Sequence, residues 1–219
     1  MTLIKPSSRW WWGLVVFGCA LPPVACSQAD DVDVDAALER VESLQAELEA
    51  LQAQGAKRSE DPEYFFELGN VYSELSRRED AIAAYEAALD LRPDYVEALV
   101  NLGATFNERG EMEKAVPVLS KAVELRPKDP KVYVNLGNAF YSQGDYRKAM
   151  DQFRKALEVD EKSFEAHYQL GVAYADAGIY REAIREWKLV VELAPDTDAA
   201  KSSLTNIEVV ERILARDQQ

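Results

Sequence analysis

The fold is decided by residues 130–163, which read PKVYVNLGNAFYSQGDYRKAMDQFRKALEVDEKS. Within this stretch, two runs at 130–143 and 146–159 carry apolar residues at the spacing of a helix face. Gly144 lies between the runs, and glycine ends a helix at little cost because it tolerates a left-handed backbone. The stretch is therefore predicted to form two helices joined by a short turn.

The same pattern occurs four times at a constant spacing of 34 residues, with seven positions recurring in phase. The units are 62–95, 96–129, 130–163 and 164–197. Each contains a Leu-Gly pair, and the glycines are Gly69, Gly103, Gly137 and Gly171. An alanine follows twelve positions later, at Ala81, Ala115, Ala149 and Ala183. A period of this length indicates helix pairs that stack to bury one shared core.

The recurring small residues predict close contact between the two helices of each unit. Glycine and alanine let the backbones approach, and one large side chain per unit fills the space around the crossing. These large side chains are Tyr85, Leu119, Phe153 and Trp187. The pairs Asp61-Pro62 and Asp129-Pro130 are typical of a helix N-terminus. The predicted stop positions of the first helices are Ser76, Gly110, Gly144 and Gly178.

The repeated pattern resembles the tetratricopeptide repeat over residues 62–197. The resemblance implies an all-α fold, a right-handed superhelical α-solenoid of four helix pairs. The last unit of such a stack needs a cap with a polar outer side, and residues 198–215 are predicted to form this capping helix. Its predicted apolar stripe consists of Ala200, Leu204, Ile207 and Leu214.

In this family the first helix of each pair lines a concave face, so the resemblance implies a peptide-binding groove there. Phe66, Tyr141 and Tyr168 are its predicted apolar anchors, because aromatic side chains bury a large area. Asn70 or Asn138 could bond the backbone of a peptide. The full set of predicted groove residues is Phe66, Asn70, Glu74, Val100, Asn107, Glu108, Lys131, Val134, Asn138, Tyr141, Glu165, Tyr168 and Asp176.

The charge of the groove predicts the chemistry of its ligand. With Glu63 and Glu97 included, the groove positions carry six carboxylates and one lysine, a net charge of −5. This excess favours a basic or apolar peptide segment. Phe66 and Asn135 occupy positions where a clamp for a C-terminal carboxylate would need cations, so such a clamp is not expected. Asn101 and Asn135 also fit the plain repeat pattern, and structural hydrogen bonding is an equal interpretation for them.

Residues 1–25 resemble an export signal. Two basic residues precede the apolar run 10–21, which is followed by Pro-Pro-Val-Ala-Cys. The pattern resembles that of bacterial lipoproteins and predicts lipidation of Cys26, with Cys19 as the alternative; an uncleaved anchor or an ordinary secretory signal also stays open. Residues 26–33 are predicted to form a lipidated, flexible tether. The expected location is the outer membrane, facing the periplasm, or else the cell surface or inner membrane.

Residues 34–54 show a short heptad pattern, with apolar residues alternately three and four positions apart. These are Val34, Ala37, Val41, Leu44, Leu48 and Leu51. The pattern predicts a short coiled-coil helix that joins copies of the chain into a homo-oligomer. The alternative is an amphipathic helix that packs on its own repeat domain. Residues 55–61 break the periodicity and are predicted to be a linker.

Composition argues against several functions. The chain has 219 residues, a net charge of −14 and a pI near 4.6, the opposite of what nucleic-acid binding requires. His167, the single histidine, takes a bulky core position of the repeat and is expected to be packed rather than catalytic. Both cysteines lie within residues 1–26, so no His/Cys metal site and no cysteine nucleophile are expected. Nothing in the sequence resembles a phosphate loop, a nucleotide-binding fingerprint or a serine-nucleophile turn, so no cofactor or enzymatic activity is expected either.

These patterns together predict a non-enzymatic scaffold or adaptor of the bacterial cell envelope. It would hold a segment of another envelope protein in its groove while a lipid tethers it to a membrane. One alternative is a structural homo-oligomer formed by the heptads, with a passive groove. A further alternative is an enzyme whose site is not recognisable from the sequence.

Overall fold

The computed structural model describes residues 34–216, which form ten α-helices. They are α1 (Val34–Gln52), α2 (Pro62–Glu74), α3 (Arg78–Leu91), α4 (Val96–Glu108), α5 (Met112–Leu125), α6 (Pro130–Ser142), α7 (Tyr146–Val159), α8 (Phe164–Asp176), α9 (Tyr180–Leu193) and α10 (Asp198–Arg216). The predicted signal at 1–25, Cys26 with its alternative Cys19, and the tether at 26–33 lie outside the described residues.

The chain divides into two units, Met1–Glu39 and Arg40–Gln219. Of the first unit, the structure describes residues 34–39, which begin α1 and in which Leu38 is 58% exposed. The second unit holds the rest of α1 and the nine helices that follow. Among α1–α10, none combines the length and the apolar character needed to cross a bilayer.

Local capping groups set the helix boundaries. Asp61 and Asp129 accept hydrogen bonds from the first-turn amides of α2 and α6, each followed by proline, which confirms the predicted starts. At the turns within the repeats, Gly110, Gly144 and Gly178 have φ values of 76°, 79° and 74°. Ser76 takes the same left-handed conformation with φ 57°, although it carries a side chain. The predicted helix stops are therefore confirmed.

Each repeat buries a large side chain against a glycine. A Cβ atom on Gly137 would lie 2.4 Å from Phe153 Cε1, far inside van der Waals contact. Equivalent clashes would occur between Gly69 and Tyr85, Gly103 and Leu119, and Gly171 and Trp187. The core runs from unit to unit, since one cluster contains Tyr85, Leu119 and Leu136. The small residues therefore set the distance between the paired helices, as the period predicts.

α10 packs on α9 and α8, but its buried stripe differs from the predicted one. Its buried residues are Ala200, Ser203, Ile207 and Val210, whereas Leu204 is 51% exposed. The prediction of Leu204 was wrong because the 3-4-3 spacing from Ala200 selects position 203. Ser203 is small enough to be fully buried there, but because it carries a hydroxyl group the sequence pattern did not count it among the apolar positions.

Three leucines of α1, Leu44, Leu48 and Leu51, are buried within the chain's own fold. Leu48 and Leu51 pack against Tyr64 and Leu68 of α2, and Leu44 is only 4% exposed. This corrects the prediction that Leu44, Leu48 and Leu51 form an oligomerisation seam, because a side chain buried here is not free to pair with another copy. Of the remaining predicted positions, Val41 is 41% exposed and Val34 begins the helix.

The predicted linker between α1 and α2 is folded into turns. Arg58 pairs with Asp61 at 2.8 Å and with Glu67 at 2.7 Å, which connects the turns to the first turns of α2. The Arg58 guanidinium lowers the pKa of the Asp61 carboxyl below its usual value. Residues 55–61 thus position α1 on α2.

Candidate functional site

The helices of the repeats form two layers. α4 and α6 touch, as do α6 and α8, α2 and α4, and α8 and α10. Within residues 40–216, no such contact joins α3, α5, α7 and α9 to one another. The helices that touch therefore form the inner layer of a curved stack. We call its solvent-facing side, on α2, α4, α6, α8 and α10, the inner face.

The predicted groove residues all lie on inner-layer helices, and none of them is fully buried. The exposed members are Glu74, Glu108, Lys131, Glu165 and Asp176. The half-buried members are Phe66, Asn70, Val100, Asn107, Val134, Asn138, Tyr141 and Tyr168. The contacts that these residues make differ strongly between the first two repeats and the last two.

The three predicted aromatic anchors already have partners within the chain. The Phe66 ring lies 4.9 Å from that of Tyr95, centroid to centroid. Tyr168 packs beside the core residue Trp187. Tyr141 donates a hydrogen bond to Asp176, and burial together with this bond raises the pKa of Tyr141 to about 12. These side chains therefore offer part of their surface to a ligand rather than whole rings.

In the first two repeats the inner-face carboxylates are paired with arginines. Glu63 accepts hydrogen bonds from Tyr95 at 2.8 Å and Arg92 at 3.0 Å, and both partners lower the pKa of its carboxyl. One repeat later, Arg126 lies 2.6 Å from Glu97. The other two pairs are Arg40 with Glu74 and Arg78 with Glu108.

The predicted groove charge of −5 counted the groove positions alone. In the structure, four of the six groove carboxylates have an arginine partner that lowers the effective negative charge. Sequence reasoning missed the arginines since they lie outside the inner-face positions, on α1, on α3 and in the turns between repeats. A signal was nevertheless present. Glu63 and Glu97 are 34 residues apart, and so are Arg92 and Arg126.

The periodic glutamate–arginine pair is absent from the last two repeats. Lys131 and Glu165 stand at the position of Glu63 and Glu97, while Asp160 and Ala194 stand at the position of the two arginines. Among the described residues, neither the Lys131 ammonium nor the Glu165 carboxylate has an ion-pair partner. Ser163 approaches Glu165 only at the 3.5 Å limit of a hydrogen bond. Two full charges therefore remain unpaired at this end of the inner face.

The asparagines divide in the same way. Asn70 accepts hydrogen bonds from Asn101 at 2.8 Å and Tyr85 at 2.9 Å, so both amides have structural roles. Asn135 donates to the Lys131 carbonyl oxygen within its own helix. The half-buried Asn138 side chain has no hydrogen-bond partner among residues 34–216. Of these amides, Asn138 is thus the one that is free to bond a ligand backbone.

Two small hollows open on the inner face beside α8. The α6–α8 pocket, of about 170 Å³, is lined by Lys131, Val134, Asn135, Ser163 and Glu165. The α8–α10 pocket, of about 220 Å³, is lined by Val172, Ala175, Asp176, Trp187, Asn206, Val209 and Val210. In the first two repeats the corresponding hollow is lined mainly by polar groups, including Asn70, Ser73, Glu74, Asn101 and Glu108.

His167 is packed, as predicted, and is only 7% exposed. Its Nδ1 lies 2.7 Å from Glu186 Oε2 and its Nε2 lies 3.0 Å from the Glu161 carbonyl oxygen. Both neighbours are acceptors, so both ring nitrogens must carry a proton to satisfy them. Burial lowers the pKa of His167, but the bonds to Glu186 and to the Glu161 carbonyl oxygen outweigh it and leave the pKa raised. The residue links α8 to α9 and to the turn before α8.

Comparison with known proteins identifies the repeats. Two family models described as "Tetratricopeptide repeat" match the chain, one over residues 66–130 and the other over residues 164–197. A third, described as "TPR repeat", matches residues 137–178. A search of curated proteins found no match.

Solved structures share the fold. MamA from Desulfovibrio magneticus RS-1, residues 41 to the end, aligns with a TM-score of 0.65 at 24% identity over 76% of this chain and 94% of its own. TTC0263, a thermophilic TPR protein of Thermus thermophilus, aligns with a TM-score of 0.65 at 19% identity, over 80% of this chain and 96% of its own. YrrB, described as a TPR protein with an unusual peptide-binding site, aligns with a TM-score of 0.60 at 23% identity, over 80% of this chain and 90% of its own. The predicted all-α solenoid is thus confirmed, and the chain contains tetratricopeptide repeats.

Proposed function

We propose that this chain is a non-enzymatic scaffold that binds a peptide segment of a partner protein on its inner face. The observation that carries the proposal is the accessibility of this face. Its apolar and amide side chains, such as Val134 and Asn138, remain partly exposed although the same helices bury their opposite sides. Aliphatic and amide groups side by side are what an extended peptide needs, because they bind its side chains and its backbone respectively.

We further propose that the partner is another protein of a bacterial cell envelope and that a lipid on Cys26, or alternatively Cys19, holds the scaffold at a membrane. Support comes from the basic start, the apolar run 10–21 and the small residue before Cys26. Acylation at an N-terminal cysteine would supply more than one chain, and one chain alone binds membranes only marginally. The outer membrane, facing the periplasm, is the proposed location.

The test is crosslinking in the native host followed by mass spectrometry of the captured proteins. The full chain is compared with Ala104→Asp and Val134→Asp, one substitution in each half of the inner face. Val159→Asp is the matched control, since Val159 is 39% exposed on the outer helix α7. The proposal expects at least one inner-face variant to lose partners that the control keeps. Unchanged capture by both inner-face variants would contradict it.

Cys26→Ser tests the membrane part of the proposal separately. The variant is expected to move from the membrane fraction to the soluble fraction after cell lysis and fractionation. Cys19→Ser distinguishes the two cysteines, because only loss of the acylated residue releases the chain. Retention of both single variants and of the double variant in the membrane fraction would show that the tether is not a cysteine-linked lipid.

A further inference from the structure

We infer that the ligand lies along α8 and that the terminal helix α10 forms one wall of the binding site. We also infer its chemistry: an extended segment with two small aliphatic side chains at positions i and i+4, flanked by lysine or arginine. The inference rests on the proposed function and deepens it, since it assigns the ligand to one half of the inner face.

The first step is the position of the two pockets. Both touch α8, the α6–α8 pocket at Glu165 and the α8–α10 pocket between Val172 and Asp176. A helix rises about 1.5 Å per residue, so the two contact points are about 10–16 Å apart along α8. The pockets lie on opposite sides of α8, so a single extended segment that runs along α8 and crosses it obliquely passes both.

The second step is the spacing of the ligand side chains. An extended chain advances about 3.3 Å per residue, so four residues cover about 13 Å. Residues i, i+2 and i+4 of an extended chain also point to the same side. The i, i+4 spacing therefore matches the distance between the pockets along the axis of α8. A helical segment would need about nine residues for the same distance.

The third step is the apolar character of the pockets. Val134 supplies the aliphatic wall of the α6–α8 pocket, beside the stem of Lys131. Val172, Trp187 and Val209 line the α8–α10 pocket, and Val209 is 44% exposed. Valine-sized side chains suit hollows this small. Val209 belongs to α10, so this helix contributes to the site in addition to covering the end of the core.

The fourth step is charge. Glu165 and Asp176, at the two ends of α8, are the inner-face carboxylates that no described cation pairs, whereas the four in the first two repeats each have an arginine. Tyr141 donates to Asp176 but leaves its charge uncompensated. A lysine or arginine outside each aliphatic residue of the ligand would lie near these carboxylates. Because the Lys131 ammonium lines the same pocket as Glu165, the attraction is stronger at Asp176. Asn138, whose amide is free, lies one turn beyond Val134 on the neighbouring helix α6 and can bond the ligand backbone.

Two synthetic peptides of identical composition test the inference on the full chain in detergent micelles. The probe is Lys-Ser-Val-Ser-Gly-Ser-Val-Ser-Lys, which places valines at i and i+4. The control is Lys-Ser-Ser-Val-Gly-Val-Ser-Ser-Lys, which places them at i and i+2. Binding is measured by fluorescence anisotropy of labelled peptides. We expect the probe to bind about tenfold more tightly than the control, because only the probe fills both pockets.

Three variants assign the binding to its place. Val134→Asp and Val209→Asp are each expected to remove the preference for the probe, whereas Ala104→Asp, in the first half of the inner face, leaves it intact. Far-UV circular dichroism checks that each variant remains folded. Equal affinity for the two peptides, or no binding of either up to about 1 mM, overturns the inference. So does a preference that survives both valine substitutions.

The outcome is separable from that of the proposed function. If crosslinking in cells is lost with Ala104→Asp but kept with Val134→Asp, the chain is a scaffold and the ligand lies in the first two repeats. If neither substitution changes capture, the proposed function itself fails.

Discussion

The two halves of the inner face share a backbone and differ in their side-chain partners. In repeats one and two, four glutamates are paired with arginines, and Asn70 accepts hydrogen bonds from Asn101 and Tyr85. In repeats three and four, Lys131, Glu165 and Asn138 lack such partners and two apolar pockets open beside them. The first two repeats thus bond their inner-face charges internally around a polar hollow of about 340 Å³, and we call them the closed half. The last two leave theirs without such partners beside smaller apolar pockets, and we call them the open half.

The largest expected effect concerns the closed half, which α1 covers. Leu48→Ala should lower the free energy of unfolding by about 3 kcal/mol, because it leaves a cavity between α1 and α2. Val41→Ala is the matched control and should change it by less than about 0.5 kcal/mol, since Val41 is 41% exposed. Urea unfolding followed by circular dichroism measures both.

The same pair of variants tests the oligomer alternative. If Leu48 were a seam between copies, Leu48→Ala would instead dissociate an oligomer, and sedimentation velocity would show a smaller species at unchanged core stability. Because Leu48 packs within its own chain, we expect no change of oligomeric state from this substitution.

The second prediction concerns a bond found only in the open half. Positions equivalent to His167 hold Phe65, Leu99 and Tyr133, none of which can be a cation at neutral pH. His167→Leu should destabilise the chain by about 2 kcal/mol at pH 6, because Glu186 and the Glu161 carbonyl oxygen lose a charged donor. Chemical denaturation of both proteins measures the difference.

This difference should depend on pH in a defined direction. The pKa of His167 is raised in the folded state, so the stabilisation is fully present below the ordinary histidine pKa of about 6.5 and is lost as the pH rises through the raised value. Glu186 on α9 and Asp160 in the turn before α8 are the charged groups that act on the ring. If the difference in free energy of unfolding between wild type and His167→Leu stayed constant from pH 5 to 9, it would contradict an imidazolium that donates two hydrogen bonds.

The third prediction concerns the turns. Three of the four turns within the repeats use glycine at the left-handed position, while the first uses Ser76. Ser76→Gly should raise the free energy of unfolding by about 1 kcal/mol, because glycine lacks the Cβ atom that crowds the backbone there. Ser142→Gly, inside the last turn of α6, is the control and should destabilise. Thermal unfolding with the opposite order of the two variants would show that the Ser76 side chain compensates for its strain.

The smallest effect on stability comes from closing the open half. Ala194→Arg places a cation where the first two repeats have Arg92 and Arg126, so that it can pair with Glu165. Exposed pairs contribute little, and stability should change by less than about 0.5 kcal/mol. Binding of the valine-lysine probe should nevertheless weaken, because Glu165 then has an internal partner. Ala194→Gln, which adds length without charge, should leave binding unchanged; equal loss in both variants would indicate steric blocking.

The sequence is sufficient to predict what repeats and what acts locally. The 34-residue period, the glycine that faces Phe153 and the aspartate caps at positions 61 and 129 could all be assigned, because each depends on residues within one unit or directly at its boundary. The partners of Glu74 and Glu108 could not, since Arg40 and Arg78 lie in other helices and reach across. Over three heptads, coiled-coil spacing and the spacing of an ordinary amphipathic helix are the same, so the docking of Leu48 on α2 was also not predictable.

α10 occupies the place of an inner helix, but no outer helix follows it in the described part of the stack. An additional 34-residue unit inserted between residues 197 and 198 would therefore meet the same neighbours that α9 and α10 present to each other now. The length of the inner face could grow through duplication of a single unit, with the terminal helix carried along as a movable end wall. Lineages of such proteins could in this way lengthen or shorten the segment they recognise while the core chemistry of every unit stays the same.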